Sequence, residues 1–121
     1  LISLQQVSGL EQIEVLQNEW NLWQPGPEYQ ADTGDFSETA ALIQNLDLVI
    51  TADTAVAHLA GSLGVPVWIL VSRLPEWRWL LEREDSPWYP TARLFRQTEP
   101  GDWEPVIQAV QTELEQTLRS N

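Results

Sequence analysis

Residues 47–70, DLVITADTAVAHLAGSLGVPVWIL, set two short apolar runs on either side of an apolar stretch of helical length. No other segment restricts the fold as strongly. Leu48 to Thr51 is apolar and β-branched without alternation, which predicts a short strand buried on both faces. Asp53 and Thr54 are N-cap residue types. Ala55 to Leu63 is apolar all round except at His58 and Ser62, which predicts a buried helix. Gly64 suits the position just past a helix end, where the backbone turns left-handed. Val65 to Val71 reads as a second buried strand, with Pro66 at its start, where a missing N–H costs least. A strand, a crossover helix and a strand make a βαβ unit, so the two strands should lie parallel in an α/β fold.

The turn at Asp53 and Thr54 is the candidate site. It lies at the C-terminal end of a predicted parallel strand, where open α/β sheets bind ligands. It also lies at a helix N-terminus, where free N–H groups and the helix dipole favour an anion. His58 follows Thr54 by four residues, on the same helix face, and its side chain leans back toward the turn. A plainer reading stands beside this one: Asp53 and Thr54 only cap the helix, and His58 is a satisfied core histidine.

Composition narrows the function further. The 121 residues are one domain's worth of chain, with 18 acidic and 6 basic residues and a formal net charge of −12. Such acidity argues against nonspecific nucleic-acid binding and against an anionic membrane surface. All the basic residues are Arg, and five of the six lie between Arg73 and Arg96, just after the second core strand. Cys is absent and His58 is the single histidine, so thiolate and histidine-rich metal sites are excluded. No apolar run reaches the roughly 18 residues of a transmembrane helix, and no signal-peptide pattern opens the chain, so a cytoplasmic protein is the simplest expectation. Leu1 is not a natural start, which suggests a piece of something longer.

The remaining elements follow in order. Ile2 to Leu4 reads as a short strand. Ser8 and Glu11 form a capping box for a helix whose face carries Leu10, Ile13, Leu16 and Trp20. Gln24 to Pro27 is a turn, Tyr29 to Asp32 a very short strand, and Asp32 to Asp35 another turn. Ser37 caps the next helix, Glu38 complements its dipole, and Thr39, Leu42, Ile43 and Leu46 face the core. Ser72 to Pro90 is irregular, with helical turns expected within Trp77 to Glu84. There Trp77, Trp79, Trp88 and Tyr89 either stack with Arg on a base or sugar, or glue a long loop to the domain. Ala92 to Arg96 alternates apolar and basic residues, as a sheet-edge strand would. Asp102 is the expected N-cap of a final helix with Pro105 in its first turn. Trp103, Val106, Ile107, Val110, Leu114 and Leu118 form that helix's apolar stripe.

The run DLVITADTAVAHLAGSLGVPVWIL resembles the donor-site segment of heptosyltransferase-like, family 9-type glycosyltransferases, and among them those fused to tetratricopeptide repeats in bacteria. Leu74 to Leu81, Asp85 to Pro90, Leu94 to Gln97 and Pro100 to Trp103 resemble that subgroup as well, in the expected order, so the resemblance runs from Ser3 to about Val110. It implies a Rossmann-like parallel sheet with flanking helices, forming the C-terminal, nucleotide-sugar-binding half of a GT-B enzyme. The partners it implies are a nucleotide-sugar donor, an N-terminal acceptor domain and tetratricopeptide repeats. No metal or other cofactor is implied. The diphosphate would then be held by backbone N–H groups, a helix dipole and cationic side chains. The residues matching that role are Asp53, Thr54, Ala55 and His58, with Arg73 supplying positive charge and Asp53 shaping the turn. The resemblance places the catalytic base in the other domain. Two positions depart from the family pattern: Ala55 stands where heptosyltransferases usually carry Gly, and Gln6 where many relatives carry Lys. The family's first strand also lies upstream of Leu1. The Leu1–Leu4 and Leu48–Thr51 strands would then flank a gap, to be closed by self-association or by direct pairing of the two. The competing class is a non-catalytic α/β interaction or scaffold domain. A different nucleotide or phosphate binder is less favoured, since neither G-x-G-x-x-G nor a Walker A sequence occurs.

Overall fold

A computed structural model of the chain describes residues 2, 23, 37–73 and 89–120. Outside them lie most of the predicted N-terminal strand, the Ser8–Trp20 helix, the turns and short strand between Gln24 and Asp35, and the Trp-rich stretch from Trp77 to Trp88. The chain divides into two compact units, Leu1–Ala41 and Leu42–Asn121. In the first, Ile2 forms an isolated parallel bridge with Trp23.

Helix α1 runs Ser37–Ile43, with Glu38 in its first turn. Thr39 and Ile43, one turn apart, are its buried residues. It closes on two tightened turns, in which Asn45 N–H donates to the Leu42 carbonyl and Leu46 N–H to that of Ile43.

The second unit holds strand β1 (Val49–Ala52), helix α2 (Ala55–Ser62), strand β2 (Val67–Val71), strand β3 (Ala92–Arg96) and helix α3 (Glu104–Arg119). The sheet has the order β1-β2-β3 and both pairings are parallel. Val49 is level with Val67, and Val67 with Ala92. Helix α2 lies against β1 and β2, and α3 against β3. The result is a Rossmann-like α/β arrangement, as the βαβ reading requires.

The crossover explains itself residue by residue. Gly64 has φ 73°, Gly64 N–H donates to the Gly61 carbonyl, and Val65 N–H donates to that of Ala60. Those two bonds are the Schellman pair that satisfies a helix C-terminus. They also shift the expected strand boundary. Val65 has spent its N–H on the helix and Pro66 has none, so ladder pairing of β2 begins at Val67. The Pro66 carbonyl still contributes, accepting from Val49 N–H at 2.9 Å.

Burial separates the strands. In β2, Val67, Ile69 and Val71 are fully buried and Trp68 nearly so, as expected for a strand covered on both faces. Strand β1 departs from its expectation: Val49 is buried, but Ile50 is 41% exposed. The cause is placement. The cluster beneath α3 joins Trp68, Phe95, Val106 and Val110, with Leu48, Leu70 and Leu114 against it, so α3 covers β2 and β3. Strand β1 is the end of the described sheet. Helix α2 is likewise half-buried, through Ala57, Ala60 and Gly61, where an all-round buried helix was expected. Strand β3 has the predicted bounds and lies at the other end of the described sheet. Leu94 and Phe95 are nevertheless buried in succession, because both of its faces are covered. Arg93 remains half-buried, with its guanidinium 5.0 Å from the Phe95 ring centre and 2.9 Å from Glu113 on α3.

Helix α3 starts from Trp103 rather than Asp102, and no side chain caps it. Gly101, at φ 79°, lets the chain turn just before it, and Asp102 N–H is used on the Glu99 carbonyl. Of the predicted stripe, Val106 and Val110 are buried, while Trp103, Ile107 and Leu118 are 40%, 52% and 67% exposed. The helix meets the sheet along the i, i+4, i+8 line of Val106, Val110 and Leu114, leaving the rest of the stripe at its margin.

Candidate functional site

The chain leaves β1 at Ala52, passes Asp53 and enters α2 from Thr54. Thr54 is extended, at φ −133° and ψ 177°, which is normal N-cap geometry. Its hydroxyl does not cap the helix. It turns back to the Thr51 hydroxyl, 3.3 Å away. The first intrahelical donors are Ala57 and His58, both to the Thr54 carbonyl. The N–H groups of Ala55 and Val56 precede them and belong to the set that an α-helix cannot satisfy internally. No hydrogen bond among the described residues engages either one. The C-terminal end of a parallel strand and an uncapped helix N-terminus thus coincide at an exposed turn, an arrangement that favours an anion.

His58 sits over this turn with partners on both ring nitrogens. Nε2 is 3.5 Å from Asp53 Oδ1, and Nδ1 is 3.1 Å from the Tyr89 hydroxyl. The rings of His58 and Tyr89 meet edge to face, with centroids 5.7 Å apart. The structure therefore combines the two readings of this residue: His58 is hydrogen-bonded, as a core histidine would be, yet lies beside the turn with its side chain 29% accessible.

Of the five residues singled out in the sequence, Asp53, Thr54, Ala55 and His58 share the turn. Arg73 stands apart. Asp53 follows Ala52, which is level with Leu70, so Arg73 lies beyond the same sheet end on the next strand. Its side chain is exposed, and no hydrogen bond or ion pair among the described residues joins its guanidinium to the turn. Its backbone N–H donates to Gln97 Oε1 at 3.1 Å.

Two residues at this edge escaped the sequence reading. Tyr89 was read only as part of an aromatic cluster, but it reaches back to α2. A Cβ added at Gly61 would lie 2.5 Å from Tyr89 Cγ, so Gly61 leaves the space that the ring fills. An isolated Gly inside a helical pattern was the available signal, since it marks close approach. Gln97 is 4% exposed, and its Nε2 has no hydrogen-bond partner among the described residues. Beside it, partial burial lowers the pKa of Arg96 below the ordinary guanidinium value, although an Arg keeps its charge. A cleft of about 720 Å³ lies elsewhere, along β3 and α3, between Arg93, Arg96, Pro105 and Glu113. None of the turn residues lines it. Among the described residues, no group of three or more His, Asp or Glu is placed to hold a metal ion.

A parallel sheet with a crossover helix, whose N-terminus opens at the strand ends, defines a Rossmann-like α/β segment. Residues 32–72, which span α1 to β2 and contain the turn, match the model of glycosyltransferase family 9 (heptosyltransferase). The heptosyltransferase-like resemblance holds over this segment. A curated relative, Protein FlbA of Caulobacter vibrioides (strain ATCC 19089 / CIP 103742 / CB 15), is 39% identical over 94 residues, 77% of this chain and 15% of the relative. No solved structure matches the chain. Among the described residues, no helix is long and apolar enough to cross a membrane.

Proposed function

We propose that the Asp53–Thr54 turn binds the diphosphate of a nucleotide-sugar donor for a glycosyltransferase. The observation carrying this reading is the uncapped start of α2 at the C-terminal end of β1, within the family 9 match. The N–H groups of Ala55 and Val56 and the Thr54 hydroxyl would meet phosphate oxygens, and the helix dipole would offset their charge. His58 would supply a further donor. Asp53 would shape the turn and hold His58, and Arg73 would bring positive charge from the next strand. The reaction is transfer of the sugar from the nucleoside diphosphate to an acceptor hydroxyl. The chain spans 15% of the curated relative it matches. The acceptor domain, the base and tetratricopeptide repeats are accordingly assigned to a longer protein in which this segment is the donor half.

A second reading is a non-catalytic interaction or scaffold domain that binds no donor. Two observations favour it. His58 already has partners on both nitrogens, and the Asp53 carboxylate stands where an anion would approach. Amide NMR with UDP, ADP and GDP separates the two. Donor binding moves the Thr54, Ala55 and Val56 amides first. If millimolar amounts of all three leave these amides unmoved, the donor-site reading is wrong.

A further inference from the structure

His58 is the single histidine of the chain, and its two ring nitrogens face chemically different groups. We propose that Tyr89 is a positioning residue that holds His58 in its Nε2–H tautomer and so aims a hydrogen-bond donor at the Asp53–Thr54 turn. A neutral imidazole carries one N–H and one lone pair. Nε2 faces the Asp53 carboxylate, which can only accept. The proton must be there, since a lone pair in that position would point at a negative charge. Nδ1 is then the acceptor, and the Tyr89 hydroxyl donates to it across 3.1 Å.

The two contacts are unequal. The Tyr89 contact has ordinary hydrogen-bond length, whereas the Asp53 contact, at 3.5 Å, is longer than an ordinary hydrogen bond. The ring is therefore fixed from the Nδ1 side. Tyr89 can serve as the fixed point because it is itself anchored. Its carbonyl accepts from Ala92 N–H at 3.0 Å, just ahead of β3, and its ring occupies the space left by Gly61. A ligand oxygen arriving at the turn could replace Asp53 as acceptor with no tautomer change and no ring flip. That ligand step rests on the donor-site reading above. The tautomer assignment does not.

Imidazole nitrogen NMR of the 121-residue chain tests the assignment without ambiguity, because one histidine gives one pair of signals. The spectrum is read on the alkaline plateau of the nitrogen shifts, where one ring nitrogen carries the proton. Wild-type protein should show a protonated Nε2 and a hydrogen-bonded, unprotonated Nδ1. Tyr89→Phe keeps the ring but removes the hydroxyl. It should shift the Nδ1 signal toward that of an unbonded nitrogen, and bring the two signals closer as tautomers exchange. A purely structural Tyr89 would change the melting temperature and leave both signals in place. A protonated Nδ1 in the wild type overturns the tautomer assignment even if the variant does not fold, and unmoved nitrogen signals in Tyr89→Phe overturn the positioning role of Tyr89. With UDP as the probe, Tyr89→Phe should bind about 3–10-fold more weakly, the effect of one neutral hydrogen bond. Unchanged UDP affinity in the variant overturns the ligand step alone. A wild type that binds no nucleoside diphosphate refutes the donor-site reading and the ligand step together, while the nitrogen signals still decide the tautomer.

Discussion

Gly61→Ala should destabilise this protein, against the ordinary expectation for a helix interior. Replacing Gly by Ala within an exposed helix gains about 1 kcal/mol through backbone entropy. At Gly61 the added Cβ would meet Tyr89 Cγ at 2.5 Å, Cδ1 at 2.8 Å and Cβ at 2.9 Å. Carbon atoms prefer separations of about 3.5–4.0 Å, so the ring root must retreat by roughly 1 Å. These atoms are not the free end of a flexible chain. The hydroxyl at the other end of the ring is bonded to His58 at 3.1 Å, and the Tyr89 carbonyl is bonded to Ala92. Over-packing of this kind costs about 1–3 kcal/mol. The balance is a net loss of about 0–2 kcal/mol, and retreat of the ring also stretches the His58 contact. A double-mutant cycle isolates the term. Tyr89→Ala removes two of the three contacts, including the shortest, so Gly61→Ala should cost about 1–2 kcal/mol less in that background. Urea unfolding of the four proteins measures it. If Gly61→Ala stabilises the wild type by the full helix-propensity gain and the cycle shows no coupling, the Gly61–Tyr89 fit described here is wrong.

The other predictions concern the sheet end and the β3–α3 contact. The Arg93 guanidinium holds the Glu113 carboxyl below the ordinary carboxylate range through its hydrogen bond. A carboxyl depressed in the folded state stabilises it above the unfolded pKa, and that contribution is lost as pH falls through the folded value. Stability should therefore drop on acidification in the wild type, slightly because both groups remain accessible, and Glu113→Gln should flatten that part of the profile. Equal slopes in both proteins would remove the pair from the account. Gln97→Leu removes an unpartnered buried donor at the cost of the acceptor for Arg73 N–H, which sits at an exposed residue. Its stability should be within about 1 kcal/mol of wild type, since deleting an unsatisfied buried group offsets the lost bond. A loss of several kcal/mol in thermal unfolding would mean that the Gln97 amide is satisfied in solution.

The order of elements from Leu48 to Val71 was legible because each signal is local. β-branched runs, a helix-length apolar stretch and a Gly at the C′ position act through their own backbone, and the parallel pairing follows from the crossover. The candidate turn was legible for the same reason: Asp53, Thr54, Ala55 and His58 lie within six positions, and helix geometry brings them together. The exposure of Ile50 was not legible, because it depends on which strands α3 covers. The start of β2 at Val67 was hidden too, since Val65 gives its N–H to Ala60 rather than to a neighbouring strand. Least visible was Tyr89, 31 residues from His58, whose hydroxyl settles what His58 bonds to. Periodicity and capping rules reach about one helical turn, and so they describe the strand, the turn and the helix. Only the packing of the segment before β3 against α2 decides that the histidine on that helix is held from behind by a phenol.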